Sequence, residues 1–241
     1  MSTEAVDRRT AELITYYDDA TGERTGLSAA DLGAWSAATA SLLTGECGLG
    51  RGSRAGVLLP PHWQTAAVLL GAWAAGLEVS YRGWATAGLE AAGPDLDVTF
   101  VERRRVGNWL DEVPSARHQF VLGLAPDGAP SPDVPAGYRD FPPAARALLG
   151  APPPADRAGP LEAATADGTT YAEYGAVAAE VAAMRGISTG DRVLIDVSGS
   201  EQPLNWLLAP LTVGASIVLC ANLDRSRLDE RVAAEAVTLV L

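Results

Sequence analysis

The sequence contains no lysine, since all 18 of its basic residues are arginine. Schiff-base chemistry and the P-loop both depend on a lysine side chain. The absence therefore excludes these mechanisms for the chain acting alone.

Cysteine and histidine are almost as scarce, with two residues of each. Two isolated cysteines, Cys47 and Cys220, make neither a disulfide framework nor a zinc site, and we expect both to be reduced. The two histidines have no clear Cys or carboxylate partner, so we expect no metal site. No serine stands in a Gly-x-Ser-x-Gly elbow, and no spaced pair of carboxylates indicates acid–base catalysis.

Positive charge is also in deficit, because 30 acidic residues outnumber the 18 basic ones and give a net charge of −12. Binding to nucleic acid or to anionic membranes needs clustered Lys and Arg, so neither is expected as a partner. Residues 1–10 are polar and charged, which is not typical of a signal peptide. We therefore expect a soluble, cytoplasmic protein.

Two long stretches, 55–77 and 202–223, carry no charge and are long enough to span a membrane. Both contain proline and polar residues, which favours a strand and a helix joined by a turn. Hydrophobic residues make up 48% of the 241 residues, enough for a packed core.

Alternating apolar segments predict an α/β fold of two tandem lobes, with largely parallel sheets covered by helices. Residues 1–150 are predicted to form the first lobe with a Pro-rich C-terminal connector, and residues 151–241 the second. The Pro-rich stretch at 126–160 is interpreted as a lobe boundary or an ordered connector. Predicted helices cover 28–43, 64–75, 170–184, 203–211 and 228–236. Predicted strands cover 56–59, 77–81, 98–101, 119–122, 215–220 and 237–241, and 190–197 is predicted to be a turn leading into a strand at 193–197.

The two lobes share a pattern. Residues 52–59 (GSRAGVLL) and 190–197 (GDRVLIDV) each place Gly, a small polar or acidic residue and Arg before an apolar strand. An Ala-rich helix precedes each of them, and a loop and a helix follow. This indicates a weak internal repeat, although βαβ folds also converge on such patterns.

Several short motifs resemble a known family. Leu-Ser-Ala-Ala-Asp-Leu at 27–32, Leu-Gly-Arg-Gly at 49–52 and Ala-Ala-Gly at 74–76 are similar to the opening of AMP-forming acyl-CoA synthetases. Gly-Asp-Arg-Val-Leu at 190–194 and Pro-Leu-Thr-Val-Gly-Ala-Ser at 210–216 resemble the next subdomain. The chain looks like a short stand-alone actinobacterial branch of this adenylate-forming superfamily, with Pro-His-Trp-Gln-Thr at 61–65 as a local signature.

In that family a Thr/Ser-Gly-rich loop ending in Pro-Lys-Gly holds the ATP phosphates. The resemblance aligns this loop with residues 167–175, where Gly168, Thr169 and Thr170 match. However, Tyr171 occupies the position of a glycine in the family motif, Glu173 occupies that of the proline, and Tyr174 occupies that of the lysine. An equally good interpretation is a plain helix start with Asp167 or Thr169 as its cap.

The family's adenine and ribose motifs, and the small lobe with its catalytic lysine, would follow Leu241. The resemblance therefore implies a truncated, degenerate pseudoenzyme without catalytic residues. If the chain were active, it would act as an AMP-forming acid–CoA ligase. No cofactor is expected, and ATP, AMP or CoA are the ligands that the resemblance suggests.

Two further segments follow strands, where α/β sheets bind ligands. Ser198 and Ser200 follow the strand at 193–197, and either a ligand site or a capping box of Ser198 with Glu201 explains them. His62 and Trp63 occupy the matching position in the first lobe, as binding groups or as packing residues. The basic run 103–105 is interpreted as a solvated face.

The sequence thus favours a non-catalytic binding or interaction module that forms a homodimer or binds a protein partner. The alternative is a protein that binds a nucleotide, CoA or acyl ligand, or an accessory subunit of an acyl-activating ligase. In that alternative, residues 168–170 and 198–200 converge on one cleft.

Overall fold

The computed structural model describes residues 12–83, 95–108, 113–154 and 158–241. Its strands are β1 (Glu12–Asp18), β2 (Glu23–Ser28), β3 (Arg54–Leu58), β4 (Glu78–Tyr81), β5 (Leu96–Glu102), β6 (Ala116–Leu122), β7 (Arg139–Asp140), β8 (Arg192–Asp196), β9 (Ser216–Ala221) and β10 (Leu239–Val240). Its α-helices are α1 (Ala29–Ser41), α2 (Trp63–Ala74), α3 (Phe141–Arg146), α4 (Tyr171–Met184), α5 (Ala209–Thr212) and α6 (Leu228–Glu235). The expectation about residues 1–10 lies outside the described residues.

The start of α1 follows directly from its sequence. The Ser28 hydroxyl and N–H donate to the Asp31 carboxylate at 2.6 and 3.1 Å, and the Asp31 N–H donates back to the Ser28 hydroxyl at 3.2 Å. This reciprocal pair is the predicted box-like cap. A π-helical turn at Leu42–Glu46 then continues α1 to its end.

Neither uncharged stretch forms one long helix. The first contains β3 and the nearly buried α2, and the second contains a π-helical turn at Leu204–Leu208, then α5 and β9. None of the helices in the described part of the chain has the length and hydropathy that a membrane span needs.

The chain forms two compact units, neither of which is continuous in sequence. Unit 1 consists of the residues up to Leu32, Pro61–Trp63 and Gly175–Leu241, and unit 2 consists of Gly33–Pro60 and Gln64–Tyr174. This division differs from the predicted lobes at 1–150 and 151–241, because the N-terminal strands pair with β9 and the change of unit falls within α4.

The sheet of unit 2 is parallel throughout, with the strand order β4-β3-β5-β6-β7. Its core includes three phenylalanines. Phe100 stacks on Phe120 with ring centroids 5.3 Å apart, and Phe141 meets Phe100 edge-on at 5.6 Å. Each such buried side chain contributes roughly 1.5–3 kcal/mol. Because β7 and α3 belong to this unit, most of the Pro-rich stretch is an ordered part of it.

The sheet of unit 1 has the order β10-β8-β9-β1-β2. All its neighbours are parallel except β1 and β2, which form an antiparallel hairpin. The turn of the hairpin contains Gly22 at a φ of 77°, where side chains other than glycine are disfavoured. The sequence analysis did not predict this hairpin.

The repeat is visible in the strand order. In unit 2 the second strand of the sheet, β3, lies between its successors β4 and β5, and in unit 1 the second strand, β8, lies between its successors β10 and β9. The two similar sequence segments contain β3 and β8, the strands that lie next to one edge of each sheet. Such a reversal of strand order is where ligands bind in parallel sheets, at the carboxyl ends of the strands.

A buried ion pair joins β8 to α6 in unit 1. Arg192 is 5% exposed and Glu235 is 1% exposed. An Nη of Arg192 donates to Glu235 at 2.7 Å and to the Thr15 hydroxyl at 2.8 Å, and the other Nη donates to the Glu12 carbonyl oxygen at 3.0 Å. Arg192 therefore binds both the last helix and the first strand.

Glu235 is the centre of this network. It accepts hydrogen bonds from the Tyr17 hydroxyl at 2.5 Å and from Arg24 at 3.0 Å, and Arg24 also pairs with Glu12 at 2.7 Å. Burial raises the pKa of Glu235, but the bonds from Tyr17 and Arg192 and the charge of Arg24 outweigh burial and lower it. The carboxylate is thus held ionised inside the unit.

We predict that Glu235→Ala lowers the free energy of unfolding by about 3–5 kcal/mol, because buried Arg192 loses its partner at 2.7 Å and keeps only the more distant Glu12 carboxylate at 3.9 Å. Urea denaturation measures the change. The control is Glu230→Ala on the same helix, which removes an exposed pair with Arg227 at 3.5 Å and costs less than about 1 kcal/mol. Equal losses in the two variants would contradict the role given to Glu235.

Candidate functional site

The loop before α4, in unit 2, carries Gly168, Thr169 and Thr170. Gly168 has a φ of 90°, and a Cβ added there would meet nothing within 4 Å. The turn itself therefore requires glycine, because other residues are strained at this φ. The backbone conformation of the turn therefore explains why glycine occurs at position 168, and no ligand is needed to explain it.

The carboxylate of Asp167 fills the inside of this turn. Its Oδ1 accepts hydrogen bonds from the Thr165 hydroxyl, the Thr169 N–H at 3.0 Å and the Thr169 hydroxyl at 2.8 Å. These hydrogen bonds lower the pKa of Asp167, and the bond from the Thr165 hydroxyl has the largest effect. An ionised carboxylate thus takes both donors of Thr169.

The donors of Thr170 are bonded to a second carboxylate. Glu173 Oε2 accepts from the Thr170 N–H at 2.9 Å and from its hydroxyl at 2.8 Å, and the Glu173 N–H donates back at 3.3 Å. This is a capping box. The start of α4 is therefore the plain helix start of the sequence analysis, but its cap is Thr170 rather than Asp167 or Thr169.

These residues do not fit the ATP phosphates that the resemblance implies. A phosphate-binding loop offers free N–H and hydroxyl donors and a cation. Here Thr169 and Thr170 donate to Asp167 and Glu173, whose negative charges repel a phosphate. Ligand binding at Gly168, Thr169 and Thr170 stays a prediction that this geometry does not favour.

The loop after β8, in unit 1, is built in the same way. The Ser198 N–H and hydroxyl donate to Asp196 Oδ1 at 3.0 and 2.7 Å. Asp196 is the N-cap of a 3₁₀ turn at Val197–Gly199, so the predicted box of Ser198 with Glu201 is not the cap here. Ser200 is buried, and its N–H donates to the Val197 carbonyl oxygen at 3.4 Å.

His62 and Trp63 follow β3 and belong to unit 1. His62 is 1% exposed, and its ring meets Tyr16 edge-on with centroids 4.3 Å apart and lies 5.7 Å from the Trp63 ring. Burial lowers the pKa of His62 to about 3, although the charge of Asp18 raises it. The imidazole is neutral near pH 7, which supports packing rather than proton transfer.

The two thiols are buried and free. Burial raises the pKa of both Cys47 and Cys220, that of Cys220 to about 11. Neither is a thiolate near neutral pH, so neither has the character of a nucleophile. Within the described ranges, no group of His, Cys, Asp and Glu side chains could hold a metal ion.

The basic run after β5 is only partly a solvated face. The Arg104 side chain is exposed, but Arg105 is 1% exposed and its Nη1 donates to the Arg82 carbonyl oxygen at 2.6 Å. The prediction of a solvated face is wrong for Arg105, because this residue is buried and its guanidinium bonds the Arg82 carbonyl oxygen.

The predicted site residues are divided between the units. Gly168, Thr169 and Thr170 lie in unit 2, whereas Ser198, Ser200, His62 and Trp63 lie in unit 1. The convergence of residues 168–170 and 198–200 on one cleft stays a prediction.

Sequence reasoning considered Asp167 only as a helix cap and missed Asp196 and Asp224, which close loops in the same way. Asp167, Asp196 and Asp224 each stand two residues before a Thr or Ser and accept both its N–H and its hydroxyl. The Asp-x-Ser/Thr spacing is the signal that could have identified them, since it favours an Asx turn.

The comparisons with known proteins agree with this fold. The chain is 39% identical over 231 residues to a protein of Mycobacterium tuberculosis described as a TIGR03089 family protein, which covers 95% of this chain and 90% of that protein. The chain belongs to the TIGR03089 family. No family model matches the sequence.

Solved structures show the same architecture. The chain resembles an acyl-CoA synthetase of Brucella canis (19% identity, TM-score 0.66), the N-terminal domain of FACL13 from M. tuberculosis (15%, 0.66) and the amide bond synthetase McbA of Marinactinospora thermotolerans (17%, 0.65). Each alignment covers 98% of this chain but 46%, 61% and 47% of those chains. This chain thus spans about half the length of the solved synthetases. It has the fold of their N-terminal part, as predicted.

We predict that His62 makes unfolding depend on pH. Its pKa is near 6.5 when unfolded and is lowered to about 3 when folded, so the unfolded state binds the extra proton. Stability is complete above pH 6.5 and falls towards pH 3, by at most about 1.4 kcal/mol per pH unit.

Glutamine does not titrate, so His62→Gln removes this contribution to the dependence of the free energy of unfolding on pH. Urea denaturation between pH 4 and 8 measures it in both proteins. Parallel pH profiles for wild type and variant would contradict a buried neutral His62.

Proposed function

We propose that this chain is a non-catalytic relative of acyl-CoA synthetases that acts as a binding or interaction module. The observation that carries the proposal is the loop at 165–173, whose Thr169 and Thr170 donors are bonded to Asp167 and Glu173. The donors that a nucleotide phosphate needs are already engaged within the loop.

Charge supports the same proposal. Adenylation requires stabilisation of negative charge in the transition state by preorganised donors and cations. This loop supplies two carboxylates instead, and the sequence has no lysine at any position. Tyr171 and Tyr174, which occupy the places of a glycine and the lysine in the resembled motif, carry no positive charge.

Association with a second copy or with a protein partner is the proposed mode of action. On α4, Val177 is 41% exposed and Met184 is 79% exposed, and apolar side chains at a surface favour association. Sedimentation of the purified chain measures its mass. If the chain sediments as a monomer at every concentration, association with a second copy is contradicted and only a different protein partner is left in the proposal.

We predict that ATP, AMP, CoA and a non-hydrolysable acyl-adenylate leave the melting temperature unchanged in a thermal-shift screen. A ligand at 100 times its dissociation constant would stabilise the fold by about 2.7 kcal/mol. In a protein of this size that is a rise of several degrees. An unchanged melting temperature with every ligand, in a protein that unfolds cooperatively, would support the proposed binding or interaction module.

A reproducible shift with an adenine-containing ligand would contradict this and favour the alternative. The chain would then be a nucleotide- or CoA-binding protein or an accessory subunit of an acyl-activating ligase. Thr169→Ala and Ser200→Ala, one in each loop, would then tell which loop contacts the ligand.

A further inference from the structure

The edge of the unit 2 sheet is covered by a segment with little regular structure. β4 pairs with β3 on one side. On its other side the Val79 N–H donates to the Ala164 carbonyl oxygen at 3.0 Å, and the Ala166 N–H donates to the Val79 carbonyl oxygen at 3.2 Å. Val79 and Thr165 thus form a parallel bridge. Edge strands need such protection because their free N–H and C=O groups pair readily with other chains.

The covering segment is closed on itself. Ala163 and Thr170 form an antiparallel bridge, and the Ala164 N–H donates to the Thr169 carbonyl oxygen at 2.8 Å. The Tyr171 N–H donates to the Glu162 carbonyl oxygen at 3.0 Å. The loop with Asp167 at its centre is therefore the tip of a small hairpin.

Aromatic side chains fasten this hairpin to the end of α2. The Trp73 indole N–H donates to the Ala164 carbonyl oxygen at 3.0 Å. In return, the Tyr171 hydroxyl donates to the carbonyl oxygens of Trp73 at 3.0 Å and Leu77 at 3.4 Å. Tyr174 meets the Trp73 ring edge-on, with centroids 5.8 Å apart.

The last carbonyl groups of a helix have no partner within the helix. Near the C-terminus of α2, the Trp73 carbonyl oxygen accepts from the Gly76 N–H at 3.0 Å, and the Tyr171 hydroxyl adds a second donor. Burial raises the pKa of Tyr171 to about 12, so the hydroxyl keeps its proton and stays a donor.

We infer that residues 162–174 are a structural clasp, which closes the free edge of β4 and the C-terminus of α2. The two tyrosines that differ from the resembled phosphate-binding motif are the residues that fasten it. Tyr171, in the place of a glycine, bonds α2, and Tyr174, in the place of the lysine, packs on Trp73. The segment therefore stabilises the sheet and does not serve as a ligand loop.

Hydrogen exchange of the Val79 and Ala166 amides tests the clasp, because both N–H groups donate across it. Tyr171→Phe removes the hydroxyl and keeps the ring. We expect exchange at both amides to accelerate by about fivefold to tenfold, and the melting temperature to fall by about 2–4 °C. Trp73→Phe, which removes the indole donor, is expected to accelerate the same amides.

The control is Tyr138→Phe, which removes a hydroxyl from another tyrosine of unit 2 and leaves both amides at the wild-type rate. Unchanged exchange in folded Tyr171→Phe and Trp73→Phe would overturn the clasp. Protection of these amides by ATP in the wild type would overturn it too, because the segment would then be a ligand loop. Nucleotide binding elsewhere, with the clasp intact, would contradict only the proposed function.

Discussion

The pair of Arg192 and Glu235 is the interaction on which the arrangement of unit 1 depends. Arg192 lies on β8, between β10 and β9, and Glu235 ends the helix before β10. Their hydrogen bonds to Thr15, Tyr17 and Arg24 attach the N-terminal hairpin to elements more than 150 residues later in the chain. A buried charge is stabilised only when it is paired and hydrogen-bonded, and both Nη atoms of Arg192 are bonded, although its Nε has no partner among the described residues. This network explains why residues from both ends of the sequence form one unit.

A second constraint is the excess of negative charge, which this chain uses to close its own loops. Asp167, Asp196 and Asp224 each accept an N–H and a hydroxyl from the Thr or Ser two residues later. In a nucleotide-binding protein, N–H and hydroxyl groups at strand ends and helix starts are left for phosphate. Internal carboxylates take these donors here, which supports the proposal that the loops do not bind phosphate.

Much of the fold was predictable from the sequence because its signals are local. Ser28 and Asp31 mark the start of α1, and the repeated Gly-x-Arg before an apolar run marks β3 and β8. The hairpin of β1 and β2 was missed although Gly22 marks its turn, and its pairing with β9, about 200 residues away, has no local signal. Glu235 and Arg105 look like surface residues in sequence, and only the folded chain shows that both are buried.

The sequence placed the candidate residues in loops beside a strand end and a helix start, but it did not decide their chemistry. The sequence left residues 167–175 open between a phosphate loop and a helix start. The geometry favours the helix start, because Thr170 and Glu173 form its capping box and Tyr171 and Tyr174 pack on α2. Whether residues 168–170 and 198–200 share a cleft depends on a long-range arrangement that local patterns do not encode.

The central claim is that this member of the TIGR03089 family does not activate carboxylic acids. The most direct measurement is ATP–pyrophosphate exchange by the purified chain with a pool of carboxylic acids and Mg²⁺. The account predicts exchange at the rate of the protein-free reaction for every acid. Exchange that requires both the protein and a particular acid, and that Thr169→Ala abolishes, would contradict it.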